Sequence, residues 1–370
     1  IPRIKEFNTG DNFGCAYFQM NQRKGVRWSA SKAFLRPIQH RPNLTVMTNT
    51  HVHKLAFQTN EHGPRATGVW ITKGQDAPSL VTATREVILA AGAVASPQIL
   101  QLSGIGEAGL MQQLGAAPVI DLPGVGHNLQ DHLQIRTIYK VSNTTTLNPR
   151  VNSLVGKAMM GLEYLLFKTG PLTMPPSQLG AFAKSDEAQP TPNMEWHVQP
   201  LSLDQFGSPL HSFNAITPSV CNLRPASRGA ITAQSLDPLM APKINLNYLS
   251  SPEDEAIALA GLRMTRRIMK AKALARFLPE EWKPGPERQS DAELLDAARD
   301  LGTTIFHPVG TCKMGADPAA VVDDRLMVHG CKGLRVIDAS IMPLITSGNT
   351  NAPTVMIAEK GAQFIIEDAG

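Results

Sequence analysis

Cysteine is scarce in this chain. Four residues, Cys15, Cys221, Cys312 and Cys331, are scattered over 370 positions. None forms a C-x-x-C pair, and four are far too sparse for a disulfide scaffold. A reducing cytoplasm is the simplest home for such thiols. Long apolar runs are also missing: no stretch approaches the ~18 residues of a membrane span. Charge of one sign is weak, with 35 basic against 31 acidic residues and a net charge of +4. The excess is spread along the chain and leaves no electrostatic footprint for nucleic acid. Its densest stretch, Arg263 to Arg276, lies on one predicted helix and reads as a solvated face. Solenoid or propeller repeats are absent too.

What is present is a chain able to bury a core, with 42 % hydrophobic residues, and one rich in turns, with 29 Gly and 28 Pro. Residues 43–57 and 66–91 are strand-rich. Val87-Ile88-Leu89-Ala90-Ala91 is short, continuous and apolar, as in a strand buried on both faces. After Gly92, Ser96-Pro97 predicts a helix start with Ser as N-cap, stopped by Ser103-Gly104. Strand, glycine turn and helix are the grammar of an α/β nucleotide-binding sheet. Further helices are predicted over 151–168, after Ser251-Pro252, and from a Ser290/Glu293 capping box. Near the end, Leu334–Asp338 reads as a strand finishing in a carboxylate. Asn351-Ala352-Pro353-Thr354 then leads into a helix over Val355–Ile366. The fold class is α/β (α+β overall).

Two formal motifs fail on context. Gly104-Ile105-Gly106-Glu107-Ala108-Gly109 fits G-x-G-x-x-G, yet a predicted helix precedes it where a dinucleotide fingerprint needs a strand. Ser29-Ala30-Ser31-Lys32 with Lys168-Thr169-Gly170 matches two pieces of a serine acylase, without the S-x-N element between them. His51 and His53 share one side of a predicted strand, and His127, Asp131 and His132 have metal-ligand chemistry. Lacking a further well-placed cluster, both groups read as core or surface histidines. His307 differs in its company. It lies in Ile305-Phe306-His307-Pro308-Val309-Gly310-Thr311, in the same third of the chain as Asp338 and the Asn-rich segment Ser347–Thr354.

Four segments carry a resemblance. They are Gly92-Ala93-Val94-Ala95-Ser96-Pro97-Gln98-Ile99-Leu100 through Gly106, Pro123–His132, His307–Gly315, and Val336-Ile337-Asp338-Ala339-Ser340. In that order the chain resembles the glucose–methanol–choline (GMC) family of flavoprotein oxidoreductases, most closely its choline-dehydrogenase-like alcohol dehydrogenases. The similarity runs through nearly all of the sequence.

The resemblance implies an FAD-binding three-layer α/β domain, discontinuous in sequence, with an inserted substrate domain of antiparallel sheet plus helices. The corresponding ranges are 1–131 and 303–370 for the FAD domain and 132–302 mainly for substrate. It implies FAD-dependent oxidation of a primary alcohol to an aldehyde. His307 takes the hydroxyl proton, Asn351 hydrogen-bonds the developing alkoxide, and a hydride passes to flavin N5. Val52, Asp338, Ala339, Asn351 and Thr354 match cofactor-contacting positions, and Gln178 and His197 match the substrate pocket. Choline-type relatives carry a glutamate where Gln178 stands, so a neutral small-molecule alcohol is expected rather than a quaternary ammonium. The electron acceptor is left open among a quinone, a dye-like carrier and oxygen, as is peripheral membrane association. No metal and no nucleic acid are expected. Residues before Gly14 do not supply the family's opening strand, G-x-G-x-x-G turn and helix. The expectation is therefore a member lacking its N-terminal segment, with weak FAD binding or none. The alternatives are an FAD-containing lyase on the same fold and a non-catalytic fragment.

Overall fold

A computed structural model describes residues 1–370. The chain divides into two compact units, neither of them continuous. One gathers Ile1–Val46, Leu133–Leu223 and Pro252–Thr304; the other gathers Met47–His132, Arg224–Ser251 and Ile305–Gly370. Compared with a division at 131 and 302, two stretches change sides. Residues 1–46 join the first unit because Gly14–Tyr17 pairs antiparallel with Leu179–Ala183. Residues 224–251 join the second because the backbone at Gly229 and Ile231 bonds to Leu129 and Gly126. No helix is long and apolar enough to cross a membrane.

The first unit is built on an eight-stranded sheet. Its spine runs through Gly14–Tyr17, Leu179–Ala183, Met194–Gln199, Ala215–Asn222, Leu133–Arg136 and Gly302–Thr304, antiparallel at every step. Side chains alternate across a pleated strand, and Met194-Glu195-Trp196-His197 shows the consequence. Trp196 is buried and its indole N–H donates to Thr265 Oγ1 at 2.8 Å, on the helix Pro252–Met269. That helix lies against the sheet at Gly261, where an added Cβ would come within 3.0 Å of Val220. Glu195 and His197 point to the opposite face.

The second unit has an antiparallel three-stranded sheet, Thr50–Asn60, Gly63–Lys73 and Ser79–Thr82, and a parallel pair, Val87–Leu89 with Leu334–Val336. Val87 and Leu89 enter the core while Ile88, on the alternate face, is 43 % exposed. The strand is therefore not buried on both sides as its composition suggests.

The helix that follows spans Gly92–Leu102, so Ser96 is not its N-cap. Ser96 Oγ instead accepts from Ala91 N at 3.1 Å and donates to Asp338 at 2.6 Å. Pro97 thus sits inside the helix, where its missing N–H leaves the Ala93 carbonyl without its i+4 partner. Thr311 Oγ1 donates to that carbonyl at 2.6 Å. The last helix starts earlier than its sequence suggests, spanning Asn351–Asp368 with Thr350 at the N-cap. The Ser290/Glu293 capping box is present as read.

Candidate active site

In the second unit, two short segments bring the histidines together. Gln130 and Val309 exchange backbone hydrogen bonds at 3.0 and 2.9 Å, and Ile305 N donates to the His132 carbonyl. Gly310, at φ +93°, lies against the Asn128 carbonyl where an added Cβ would stand 2.5 Å away, so a side chain there would break this approach. Phe306 holds a left-handed φ of +66°, uncommon for a bulky residue and frequent where function demands a particular direction.

Within that frame His307 and His132 are both buried, with their Nδ1 atoms 3.0 Å apart and rings edge-on. The His307 backbone N–H donates to Asp131 Oδ1 at 2.9 Å, and Tyr248 donates to Asp131 Oδ2 at 2.5 Å. Asn349 Nδ2 stands 3.5 Å from His307 Nε2. Burial pushes the His307 imidazole down to about 4, so the ring is neutral near pH 7. Two nitrogens 3.0 Å apart share one proton. If His307 carries it on Nδ1 and His132 accepts, the lone pair remains on Nε2, the nitrogen facing Asn349. In that tautomer Nε2 can take a proton from a substrate.

Asn351 opens the last helix with its side chain exposed. Thr354 donates from Oγ1 to the Thr350 carbonyl at 2.7 Å. Val52 is half-buried on Thr50–Asn60, beside a register shift. The Asp338 carboxylate accepts from Gly92 N, Ser96 Oγ and Ser340 N at 2.9, 2.6 and 2.8 Å. It thereby fastens a strand end to a helix start, and Ala339 continues into a short turn.

In the first unit, Gln178 is half-buried with its backbone carbonyl accepting from Phe18 N. His197 is buried beneath the Phe18 ring, centroids 4.9 Å apart, with Nε2 3.4 Å from Glu195 Oε1. These residues belong to a polar sheet face. Gln134, Arg136, Glu195, His197, Gln199, Thr217, Ser219 and Cys221 share it and are all buried. A buried face of that chemistry is not ordinary core. Glu195 and His132 escaped sequence reading as site residues. His132 carried a signal in its Asp131-His132 neighbourhood, but nothing in sequence spacing joins it to His307, 175 positions away.

Residues 2–134 and 225–358 match family descriptions that both read GMC oxidoreductase. An alcohol dehydrogenase (acceptor) of Pseudomonas putida is 41 % identical over 363 residues, covering 98 % of this chain and 65 % of the relative. An oxygen-dependent choline dehydrogenase of Klebsiella pneumoniae is 41 % identical over 343 residues, covering 92 % and 61 %. The chain thus spans somewhat less than two thirds of these relatives' length. Among solved structures, pyridoxine 4-oxidase from Mesorbium loti superposes with a TM-score of 0.84 at 28 % identity, covering 98 % of this chain and 66 % of that one. Two matched segments flanking an antiparallel insertion, with a buried histidine pair in the flanking unit, lead to one conclusion: the chain belongs to the GMC oxidoreductase family.

Proposed function

We propose that this chain oxidises a small, uncharged primary alcohol to the aldehyde, with FAD as cofactor and His307 as the base. The observation that carries the reading is the His307 ring itself: buried, neutral, bonded through Nδ1 to His132 and presenting Nε2 toward Asn349. Alcohol oxidation requires a group that accepts the hydroxyl proton as C–H cleavage proceeds, and a neutral imidazole does this without first losing a proton of its own. Asn351, with an exposed amide at the first turn of its helix, donates a hydrogen bond to the alcohol oxygen as charge develops there. The names of the relatives, two alcohol-type dehydrogenases and a pyridoxine oxidase, support this class of reaction.

The residues present fit FAD. Ala90 and Ala91 are exposed at the carboxyl end of Val87–Leu89, the position of the ligand crevice in α/β sheets. Gly92 follows at φ +83°, and an added Cβ there would meet nothing within 4 Å. Backbone N–H groups at the starts of Gly92–Leu102 and Asn351–Asp368 suit the anionic and carbonyl edges of such a cofactor. Asp338 holds the first of these starts in place and, with Ala339, lines this region; Val52 and Thr354 are assigned to the cofactor side as well. Bound FAD would supply the acceptor for the hydride leaving the alcohol carbon. Gln178 and His197 are assigned to the substrate side, and the neutral amide of Gln178 is the reason for choosing an uncharged alcohol. With FAD bound, the electrons would leave for an external acceptor, a quinone, a dye-like carrier or oxygen.

The test is anaerobic mixing of the protein, with FAD in excess, with hexanol or benzyl alcohol. Bleaching of the visible flavin absorbance is expected. Its absence with every primary alcohol, in protein shown by gel filtration to carry FAD, would overturn the redox reading and favour a lyase. Faster turnover of choline than of neutral alcohols of similar size would overturn the substrate class.

A further inference from the structure

Glu195, His197 and Cys221 meet on the polar face of the eight-stranded sheet. Glu195 and Cys221 are direct partners across Met194–Gln199 and Ala215–Asn222, and His197 is the next residue on the same side of its strand. One ligand-type atom from each, a carboxylate oxygen, a ring nitrogen and the thiol sulfur, all lie within 4.8 Å of one another. All three side chains are buried.

A second observation concerns Glu195 alone. It is 0 % exposed, and neither carboxylate oxygen has a hydrogen-bond partner. With the His197 ring nitrogen nearby, 3.4 Å from Oε1, but no hydrogen bond, that carboxylate cannot stay ionised in such surroundings at tolerable cost, so it needs a proton or a cation. Its neighbours favour the cation. Imidazole and thiolate are ligands for borderline-soft divalent ions, and three protein ligands with one open position make a familiar zinc set. The charges also close: one carboxylate and one thiolate cancel a divalent ion, leaving a buried cluster of zero net charge. That matters because Arg136, on the same face, brings a guanidinium that lies over Phe206 at 4.5 Å and reaches Gln199 at 3.4 Å. Ligands bound at about 2.0–2.3 Å from one ion sit roughly 3.3–3.8 Å apart, so the three side chains need to contract by about 1 Å.

We propose that Glu195, His197 and Cys221 form a binding site for a zinc-class divalent cation, set in the sheet of the first unit. Ligation uses His197 Nε2, the nitrogen already beside Glu195. Cys221 must lose its proton on binding, so affinity rises with pH.

The experiment is titration of the chelator-treated protein with cobalt(II), read as difference spectra, followed by displacement with zinc. The expected result is a stoichiometric near-ultraviolet thiolate-to-cobalt band that zinc abolishes. Cys221→Ser should remove the band, Glu195→Gln should weaken binding by about tenfold or more, and Cys15→Ser, at a half-buried thiol elsewhere, should leave it intact. Circular dichroism verifies that each variant is folded. The site is refuted by failure of the band to appear at saturating cobalt, by its survival in Cys221→Ser, or by unchanged affinity in Glu195→Gln. None of these readouts involves alcohol oxidation, so failure of the cation site and failure of His307 as the base are distinguishable; only the assignment of His197 to the substrate side is shared between the two readings.

Discussion

His132 and His307 present their Nδ1 atoms to each other across 3.0 Å, although 175 residues separate them in the chain. The contact decides which nitrogen of His307 is free for chemistry, in the way that the partner of a catalytic histidine fixes its tautomer. Replacing His307 by Gln should lower kcat by about 10²–10⁴-fold. Replacing His132 by Phe, which keeps the bulk but cannot accept the proton, should cost about a hundredfold in kcat with a smaller change in KM. Steady-state kinetics with a neutral alcohol and an artificial acceptor measures both. An unchanged kcat in His132→Phe would remove its positioning role.

The pH dependence follows from the burial of His307. Its folded-state value of about 4 lies below the ordinary imidazole value of 6.5. The unfolded chain therefore binds a proton more readily between those two limits. This contribution to stability is complete above about pH 6.5, falls as pH drops toward about 4, and amounts to about 3 kcal/mol at most. Urea midpoints measured across that interval should fall more steeply with decreasing pH than those of His307→Gln, so the two proteins should diverge toward the acid end. By the same argument, the acid limb of kcat/KM should lie well below the usual imidazole range.

Thr311 and Pro97 form a compensated pair. Thr311→Val should leave the Ala93 carbonyl buried without a donor and destabilise the second unit by about 1–3 kcal/mol. Adding Pro97→Ala restores an N–H at the position four residues on. The double variant should therefore recover part of the loss, a coupling that a thermal-denaturation cycle measures.

Glu195 gives a prediction of opposite sign. Burial pushes its carboxyl from 4.5 up to about 8. In metal-free protein, stability should be fully present below about pH 4.5 and decline as pH rises through about 8, where folding retains a proton that the unfolded chain releases. Glu195→Gln should therefore raise Tm in mildly alkaline buffer and change it little in mildly acidic buffer.

Much of this was legible from the sequence, and the exceptions have physical reasons. Leu334–Val336, the helix opening at Pro252 and the Ser290 capping box depend on local patterning, and each forms near where that pattern puts it. Ser96-Pro97 misleads because its start signal lies inside a helix, and the defect is mended by Thr311 from a distant segment. Met194-Glu195-Trp196-His197-Val198-Gln199 alternates apolar and polar residues as a half-solvated strand would. Both faces of that strand are largely buried, one against a helix and the other among polar side chains, and alternation alone cannot distinguish this from exposure. His307 and the Asn-rich segment were found through motif similarity, whereas the His132 contact arises from tertiary pairing. Asn349, two residues before Asn351 in the same Asn-rich segment, stands 3.5 Å from His307 Nε2.

The Asp338 clamp has a consequence for how the protein is made. Its bond to the Gly92 amide spans 246 residues, and the parallel pair Val87–Leu89 with Leu334–Val336 spans a similar separation. During synthesis Val87–Leu89 leaves the ribosome long before its partner strand exists. Closing so distant a pair is entropically slow, and an unpaired apolar strand is an aggregation hazard while it waits. The second unit therefore completes its fold only after Leu334–Val336 has emerged, and until then Val87–Leu89 is a segment on which chaperones should act.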